Sequence, residues 1–291
     1  MATSKPSYIS RLSHMIDDTG TSLCVGCDPH VDRLPPFMSD AISRDGALLF
    51  LEPFTRTLID ASVGLAPVIK FQSAFYEAFG ASGYRVLENM VSYARSRGLL
   101  TILDAKRGDI SSTMSAYGRM AFETLGADAL TVTPYMGLDT VEPLIPWLRK
   151  GHGIYLVWIS SNPSGGLIQD TVVAETAEPL SCLLFNVFHD FFARNALLDA
   201  FGLVLGATRV AAIPDSILGR LEEVALLMPG IGAQGGEITP TISRLLAGGK
   251  SLIPQSRALS ACPDEVGSWG DYFDLVRDRI KKAASEAAFT V

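Results

Sequence analysis

The chain has 291 residues, of which 48% are hydrophobic and 19% are charged, so it can bury a large core in one large domain or two modest ones. Its net charge is −7 and its basic residues are scattered along the sequence. This balance argues against nucleic acid or an anionic membrane surface as a partner, and any anionic ligand must be held by a few local groups.

The four cysteines form neither a disulfide framework nor a zinc-binding pattern. Cys24 and Cys27 lie three residues apart in a predicted strand, so their side chains should point to opposite faces. The first residues contain no apolar signal core, and no apolar run approaches the ~20 residues that span a bilayer. We therefore expect a cytoplasmic protein with reduced thiols.

Hydrophobic segments alternate with amphipathic ones along the chain. After a short leading helix at 11–18, strands are predicted at 22–29, 67–71, 99–103, 129–133, 153–159, 203–206, 226–229 and 251–254. Helices are predicted at 46–62, 82–97, 112–125, 178–200, 217–224 and 239–248, with another beginning at 139. A closing helix carries the apolar stripe Trp269, Phe273, Val276 and Ile280.

Alternation of strands and helices predicts a parallel sheet. Eight strand–helix units in a chain of this length fit an α/β protein of the (β/α)8 TIM-barrel class. We expect residues 1–291 to form a single domain, with the leading helix as a short N-terminal extension. A doubly wound open sheet is the alternative, although no GxGxxG motif follows the first strand to support a dinucleotide-binding version of it.

In the stretch 99–110, the third predicted strand is followed directly by several charged residues. Side chains at i and i+2 share one face of a strand, so Asp104 and Lys106 should point the same way, and Asp109 follows past the strand end. Desolvated charges cost several kcal/mol unless they are paired. A salt bridge at the surface is one interpretation of this stretch, and a functional site at the mouth of a barrel is the other.

In a barrel of this class, the carboxyl ends of the strands form the active face. The residues that fall there are Asp28, Lys70, Asp104, Lys106, Ser161, Gln234 and Arg257. The glycine-rich loop 230–236 allows backbone N–H groups to approach an anion, and Arg257 supplies a planar fork for phosphate. A plain tight loop and a surface arginine are the alternative, but barrels often bind phosphate with these last two loops.

The motif Asp104-Ala105-Lys106-Arg107-Gly108-Asp109-Ile110, together with Thr113, resembles the signature of the orotidine 5′-phosphate decarboxylases of the longer bacterial type. Segments 25–29, 69–72, 161–163, 229–236 and 256–257 also match this family, in the right order and over nearly the whole chain. The segment 164–178 contains no motif that aligns. The resemblance implies cofactor-free decarboxylation of orotidine 5′-phosphate (OMP) to UMP and CO2 in pyrimidine biosynthesis.

The resemblance also implies a role for each matching residue. Lys106 would give a proton to C6 of the pyrimidine as CO2 leaves, Asp104 would lie against the substrate carboxylate, and Lys70 and Asp109 would complete an alternating charge network. The substrate-binding set would be Asp28, Lys70, Thr113, Ser161, Pro229, Gln234, Gly235 and Arg257. Within it, the ribose hydroxyls would be held by Asp28 and Lys70, the pyrimidine edge by Ser161, and the phosphate by Gln234 and Arg257. In a homodimer, Asp109 and Thr113 would reach the site of the neighbouring subunit.

Loss of CO2 from a vinylic carbon leaves a localised carbanion without an electron sink, so the protein must stabilise it with a fixed ammonium group. We expect no cofactor and no metal. A Mg²⁺-dependent sugar-phosphate decarboxylase or aldolase on the same barrel is an alternative, but Lys70 disfavours it because two ammonium groups repel a divalent cation. A non-catalytic nucleotide-binding barrel is a second alternative, and the complete set of Asp104, Lys106 and Asp109 argues against it.

Overall fold

The computed structural model describes residues 5–30, 37, 44–231 and 236–288. Its strands are β1 (Leu23–Cys27), β2 (Val68–Gln72), β3 (Leu100–Arg107), β4 (Ala129–Val132), β5 (Gly153–Ile159), β6 (Val172–Val173), β7 (Glu178–Pro179), β8 (Phe201–Leu205), β9 (Ala225–Leu227) and β10 (Ile253–Gln255). Its α-helices are α1 (Tyr8–Thr19), α2 (Arg44–Ser62), α3 (Ala74–Glu77), α4 (Gly80–Ser96), α5 (Ser111–Arg119), α6 (Ile145–Leu148), α7 (Gly166–Gln169), α8 (Leu180–Arg194), α9 (Asp215–Leu218), α10 (Pro240–Ala247), α11 (Arg257–Ser260) and α12 (Trp269–Glu286).

Eight of these strands pair in parallel, in the order β10-β1-β2-β3-β4-β5-β8-β9. The two ends of this sheet meet through a parallel bridge between Leu227 and Leu252, and the N–H of Met228 donates to the carbonyl of Leu252 at 2.8 Å. The sheet therefore closes into a barrel with helices between its strands. This confirms the (β/α)8 prediction, and the doubly wound alternative is wrong.

The predicted elements differ from the observed ones mainly in the connections. The helix predicted from 139 is replaced by 3₁₀ turns at Gly137–Thr140 and Glu142–Leu144 and the short α6. Pro143 and Pro146 lack a backbone N–H, so two prolines three residues apart strongly disfavour a continuous helix here. The helix predicted at 178–200 begins later, because the antiparallel hairpin of β6 and β7 occupies its first residues.

The apolar core has two layers. The larger layer lies between strands and helices, and it contains Cys27. The smaller layer fills the barrel and contains Cys24 and Tyr155, so the prediction that the two cysteines face opposite sides is confirmed. Burial raises the pKa of the Cys24 thiol to about 12, and this thiol therefore stays protonated at neutral pH.

Helix α1 covers the amino-terminal end of the barrel. Tyr8 and Leu12 pack into the inner layer, and the hydroxyl groups of Tyr8 and Tyr155 are 3.2 Å apart. Arg11 pairs with Asp128 at 2.6 Å, just before β4 begins. The opposite end of the barrel is therefore the one open to a ligand. Within the described ranges, none of the helices has the length and apolar character needed to cross a membrane.

Candidate active site

The carboxyl end of β3 is irregular, and this irregularity places the charged residues. β3 and β4 pair at Leu103 with Leu130 and again at Arg107 with Val132, so four steps along β3 match two along β4. Within this bulge Lys106 has a φ of 46°, a left-handed conformation that is uncommon outside glycine. β3 was predicted to end at Leu103, but it continues through the bulge to Arg107.

Asp104 is the centre of the charged cluster and is only 6% exposed. Its Oδ2 accepts hydrogen bonds from the Lys70 ammonium at 2.9 Å and from the Gln72 amide at 3.3 Å. Its Oδ1 accepts from the Lys106 ammonium at 2.6 Å and from the Thr131 hydroxyl at 3.0 Å. The predicted proximity of Asp104 and Lys106 is confirmed, and four donors from three strands surround one carboxylate.

The electrostatics of this cluster keep Asp104 and Lys70 charged. Burial alone would raise the pKa of Asp104, but the ammonium groups of Lys70 and Lys106 outweigh it and hold that pKa well below its usual value. Burial alone would likewise lower the pKa of Lys70, and the carboxylates of Asp104 and Asp28 raise it above the ordinary lysine value instead. At neutral pH the cluster is therefore a carboxylate between two ammonium groups.

Asp28 approaches the same space from the end of β1. Its Oδ2 accepts a 2.6 Å hydrogen bond from the hydroxyl of Ser256, which follows β10. Its Oδ1 is buried and has no hydrogen-bond partner among the described residues. A buried acceptor without a donor is costly, so this oxygen is free to accept a hydrogen bond from a bound ligand.

These groups border a cavity of about 620 Å³ at the carboxyl end of the barrel, a volume typical of small-molecule sites. Predicted site residues that line it are Asp28, Lys70, Asp104, Lys106, Ser161, Pro229 and Arg257. Gln234 and Gly235 lie outside the described residues. In the part of the chain that the structure describes, no group of three or more His, Cys, Asp or Glu side chains could hold a metal ion.

Asp109 and Thr113 do not line this cavity. Asp109 follows β3, where its Oδ1 accepts a hydrogen bond from the N–H of Ile110 at 2.8 Å, and Thr113 is exposed on α5. The structure of one chain therefore separates these two residues from Asp104 and Lys106, despite their closeness in sequence.

The segment after β5 contributes residues that were not among the predicted site residues. Ser160 and Asn162 line the cavity on either side of Ser161. The side chain of Gln169, in α7, accepts from the N–H of Ser160 at 3.2 Å and donates to its hydroxyl at 2.9 Å. The segment 164–178, which carries no motif, therefore fixes the backbone beside Ser161. The only sequence signal was the polar run that ends β5.

Comparison with known proteins gives a consistent result. A family model described as "Orotidine 5'-phosphate decarboxylase / HUMPS family" matches residues 21–268. Orotidine 5′-phosphate decarboxylase of Roseiflexus castenholzii is 39% identical over 226 residues, which cover 78% of each chain. That of Thermomicrobium roseum is 37% identical over 292 residues, covering 97% of this chain and 98% of the relative.

Solved structures show the same likeness. The structure of Leishmania donovani OMP decarboxylase superposes with a TM-score of 0.69 and 26% sequence identity, covering 97% of both chains. The chain therefore belongs to the orotidine 5′-phosphate decarboxylase family.

Proposed function

We propose that this protein is a cofactor-free OMP decarboxylase, a carboxy-lyase that converts OMP to UMP and CO2 in pyrimidine biosynthesis. The observation that carries the proposal is the Asp104 carboxylate held between the Lys70 and Lys106 ammonium groups at the cavity wall. In a member of this family, an ammonium group in this position supplies the positive charge that stabilises a vinylic carbanion and the proton that neutralises it.

Lys106 is the proposed proton donor. Its side chain is 48% exposed and lines the cavity, so its ammonium group can reach a ligand while remaining paired with Asp104. As the bond to CO2 breaks, negative charge develops at C6 of the pyrimidine. The ammonium group stabilises this charge and then transfers a proton to the carbon.

Asp104 is the proposed source of repulsion against the substrate carboxylate. Two carboxylates ~4 Å apart repel by roughly 4 kcal/mol at an effective dielectric of ~20, and departure of CO2 removes that repulsion. Lys70 supports this role because its ammonium group helps to keep Asp104 ionised. This repulsion lowers the activation barrier for decarboxylation only to the extent that it is smaller in the transition state than in the bound substrate.

The remaining residues are proposed to bind the nucleotide. The unpartnered Oδ1 of Asp28 suits a ribose hydroxyl, and Lys70 lines the same cavity. Ser161 lines the cavity and is proposed to contact the pyrimidine edge. Arg257 and Pro229 follow β10 and β9, where barrels of this class often bind phosphate. Gln234 and Gly235 are proposed to complete the phosphate site.

We also propose a homodimer in which Asp109 and Thr113 enter the site of the partner subunit. Both residues lie within three positions of Ile110, which one chain leaves exposed after β3, as it does Tyr135 and Met136 after β4. Tyr135 is 89% exposed, and aromatic side chains are enriched in protein–protein interfaces. The free thiols of Cys24, Cys27, Cys182 and Cys262 suit the proposed cytoplasmic location.

The activity is tested by adding OMP to purified protein in EDTA and following the loss of orotate absorbance. We expect turnover by the wild type and a loss of at least about 10³-fold in Lys106→Ala. Lys281→Ala is the matched control, because this lysine also pairs with an aspartate but lies on the surface of α12. Lack of turnover by the wild type, or an active Lys106→Ala, would show the proposal to be wrong. Loss of wild-type activity in EDTA alone would favour the metal-dependent alternative.

The shared site is tested by mixing inactive Lys106→Ala and Asp109→Ala homodimers. In a hybrid dimer, one of the two sites combines an intact Lys106 with an intact Asp109 from the other chain. Random exchange of equal amounts should therefore restore about a quarter of the wild-type activity. If subunit exchange is verified and activity does not return, Asp109 does not act across the interface.

A further inference from the structure

The hydroxyl group of Thr131, on β4, makes every hydrogen bond that a hydroxyl can make. It donates to Asp104 Oδ1 at 3.0 Å and accepts from the backbone N–H groups of Ala105 at 3.0 Å and Lys106 at 2.9 Å. A threonine hydroxyl has one hydrogen to donate and two lone pairs to accept with, so all three positions are occupied. Thr131 is fully buried, and water cannot replace these partners.

These hydrogen bonds lie inside the bulge of β3. The register shift between Leu103 and Arg107 removes the regular ladder partners of the N–H groups in between, and a side chain of the neighbouring strand replaces them. One of these N–H groups belongs to Lys106, whose positive φ is disfavoured for a residue with a side chain. Thr131 therefore supplies the acceptor for two backbone N–H groups of the bulge, one of them from Lys106 in its left-handed conformation.

The same hydroxyl completes the surroundings of the carboxylate. An ionised carboxylate offers about four acceptor sites, and those of Asp104 are taken by Lys70, Gln72, Lys106 and Thr131. With its oxygens bonded by four donors, the carboxylate is held in one orientation. Thr131 thus connects the orientation of Asp104 to the backbone that carries Lys106.

We infer that Thr131 is a positioning residue for decarboxylation: through one hydroxyl it sets both the orientation of the Asp104 carboxylate and the backbone position of Lys106. This inference rests on the roles proposed for Asp104 and Lys106. Thr131 acts through these two residues and does not itself line the cavity. Its removal should therefore impair the chemical step more than nucleotide binding.

Thr131→Val tests the inference because it keeps the shape of the side chain and removes the hydroxyl, and Thr131→Ser restores the hydroxyl without the methyl group. Thr101→Val is the matched control. Thr101 is also fully buried, at the start of β3, and its hydroxyl donates to and accepts from Asp128 at 3.1 Å. Both valine variants thus lose a buried hydroxyl that is hydrogen-bonded to an aspartate. The aspartate is Asp104, in the site, for Thr131→Val and Asp128, outside the site, for Thr101→Val.

The measurements are kcat and KM for OMP, with kcat expressed per site able to bind UMP. We expect Thr131→Val to lower kcat by about 10²-fold with less than about a threefold change in KM, since small displacements of reacting groups have effects of this size. Thr131→Ser should recover to within about fivefold of the wild type, and Thr101→Val should stay within about threefold. The low-pH limb of kcat should also move to higher pH in Thr131→Val, because the ionised Asp104 loses a donor.

A Thr131→Val enzyme with wild-type kcat per site would overturn the inference, as would an equal loss in Thr101→Val or no recovery in Thr131→Ser. If Thr131→Val does not fold, Thr131→Ala takes its place under the same criteria. These outcomes concern Thr131 alone, provided that the wild type turns over OMP and Lys106→Ala does not. If either of those conditions fails, the proposed roles of the charged residues are wrong instead.

Discussion

Replacement of Asp104 by asparagine should destabilise the protein far more than the small change in shape suggests. Asparagine keeps the size of the side chain but removes the negative charge that pairs with Lys70 at 2.9 Å and with Lys106 at 2.6 Å. Lys70 is only 8% exposed, so its ammonium group would be left buried without a neighbouring anion of full charge.

The size of the effect follows from this geometry. At 2.9 Å and an effective dielectric of ~20, the attraction between Lys70 and Asp104 is roughly 6 kcal/mol, and desolvation of the two groups offsets much of it. Removing one partner of a buried ion pair typically destabilises a protein by about 3–5 kcal/mol. We expect Asp104→Asn to lower the free energy of unfolding by that amount. Adding Lys70→Met removes the unpaired charge and should recover about 2 kcal/mol.

The assay is equilibrium unfolding in urea at pH 7, followed by far-UV circular dichroism at one protein concentration. Asp278→Asn is the matched control, because Asp278 pairs with Lys281 at 3.1 Å while their side chains are 75% and 54% exposed. This surface pair should contribute less than about 1 kcal/mol. Wild-type stability in Asp104→Asn, or a further loss on adding Lys70→Met, would refute the reasoning.

Other predictions address pH, nucleotide binding and backbone packing. Although burial alone would raise it, the pKa of Asp104 is lowered by the two ammonium groups, so its stabilising effect is present above the ordinary aspartate pKa and is lost as the pH falls below about 4. At acid pH, the free energy of unfolding should therefore fall less steeply in Asp104→Asn than in the wild type, by up to ~1.4 kcal/mol per pH unit. Ser256→Ala removes the donor to Asp28 and should raise KM for OMP about 5–10-fold with little change in kcat, as measured by steady-state kinetics. Gly108→Ala would place a Cβ 2.0 Å from Cγ2 of Thr133 and should cost about 1–3 kcal/mol in urea unfolding.

Each of these predictions has a contrary outcome. An acid-side slope in Asp104→Asn equal to that of the wild type would show that this carboxylate does not contribute to acid unfolding. A loss of kcat with unchanged KM in Ser256→Ala would place Ser256 in the chemical step. Gly219→Ala is the control for Gly108→Ala, since no atom lies within 4 Å of its added Cβ, and equal losses in both would contradict the packing argument.

The strands of the barrel could be predicted because each is a short hydrophobic run bounded by polar or turn-forming residues. The carboxyl end of β3 could not be predicted in this way. Its hydrophobic run stops at Leu103, and the strand continues to Arg107 through a bulge that Thr131 supports from the next strand. Such a bulge depends on pairing between residues about 25 positions apart, which no local pattern contains.

The charged residues of the site could be predicted for a simple geometric reason. Parallel strands bring their carboxyl ends to one mouth, so Lys70 near the end of one predicted strand and Asp104 at the end of the next had to lie close together. Thr131, Ser256 and Gln169 were missed, because each acts on another side chain or backbone group. Serine, threonine and glutamine in such positions look like ordinary strand and loop residues, and only the register of the folded chain shows their partners.

Helix α1 also has a consequence for how the protein folds during synthesis. Tyr8 contacts Tyr155, which lies 147 residues later in the sequence, and Arg11 pairs with Asp128, 117 residues later. The hydroxyl of Ser22 donates a hydrogen bond to the carbonyl of Ser251, 229 residues later. The apolar face of α1 therefore cannot be fully covered until β5, which carries Tyr155, has left the ribosome. Because contacts this distant in sequence slow folding, the first third of the chain should stay open to chaperones until the barrel closes.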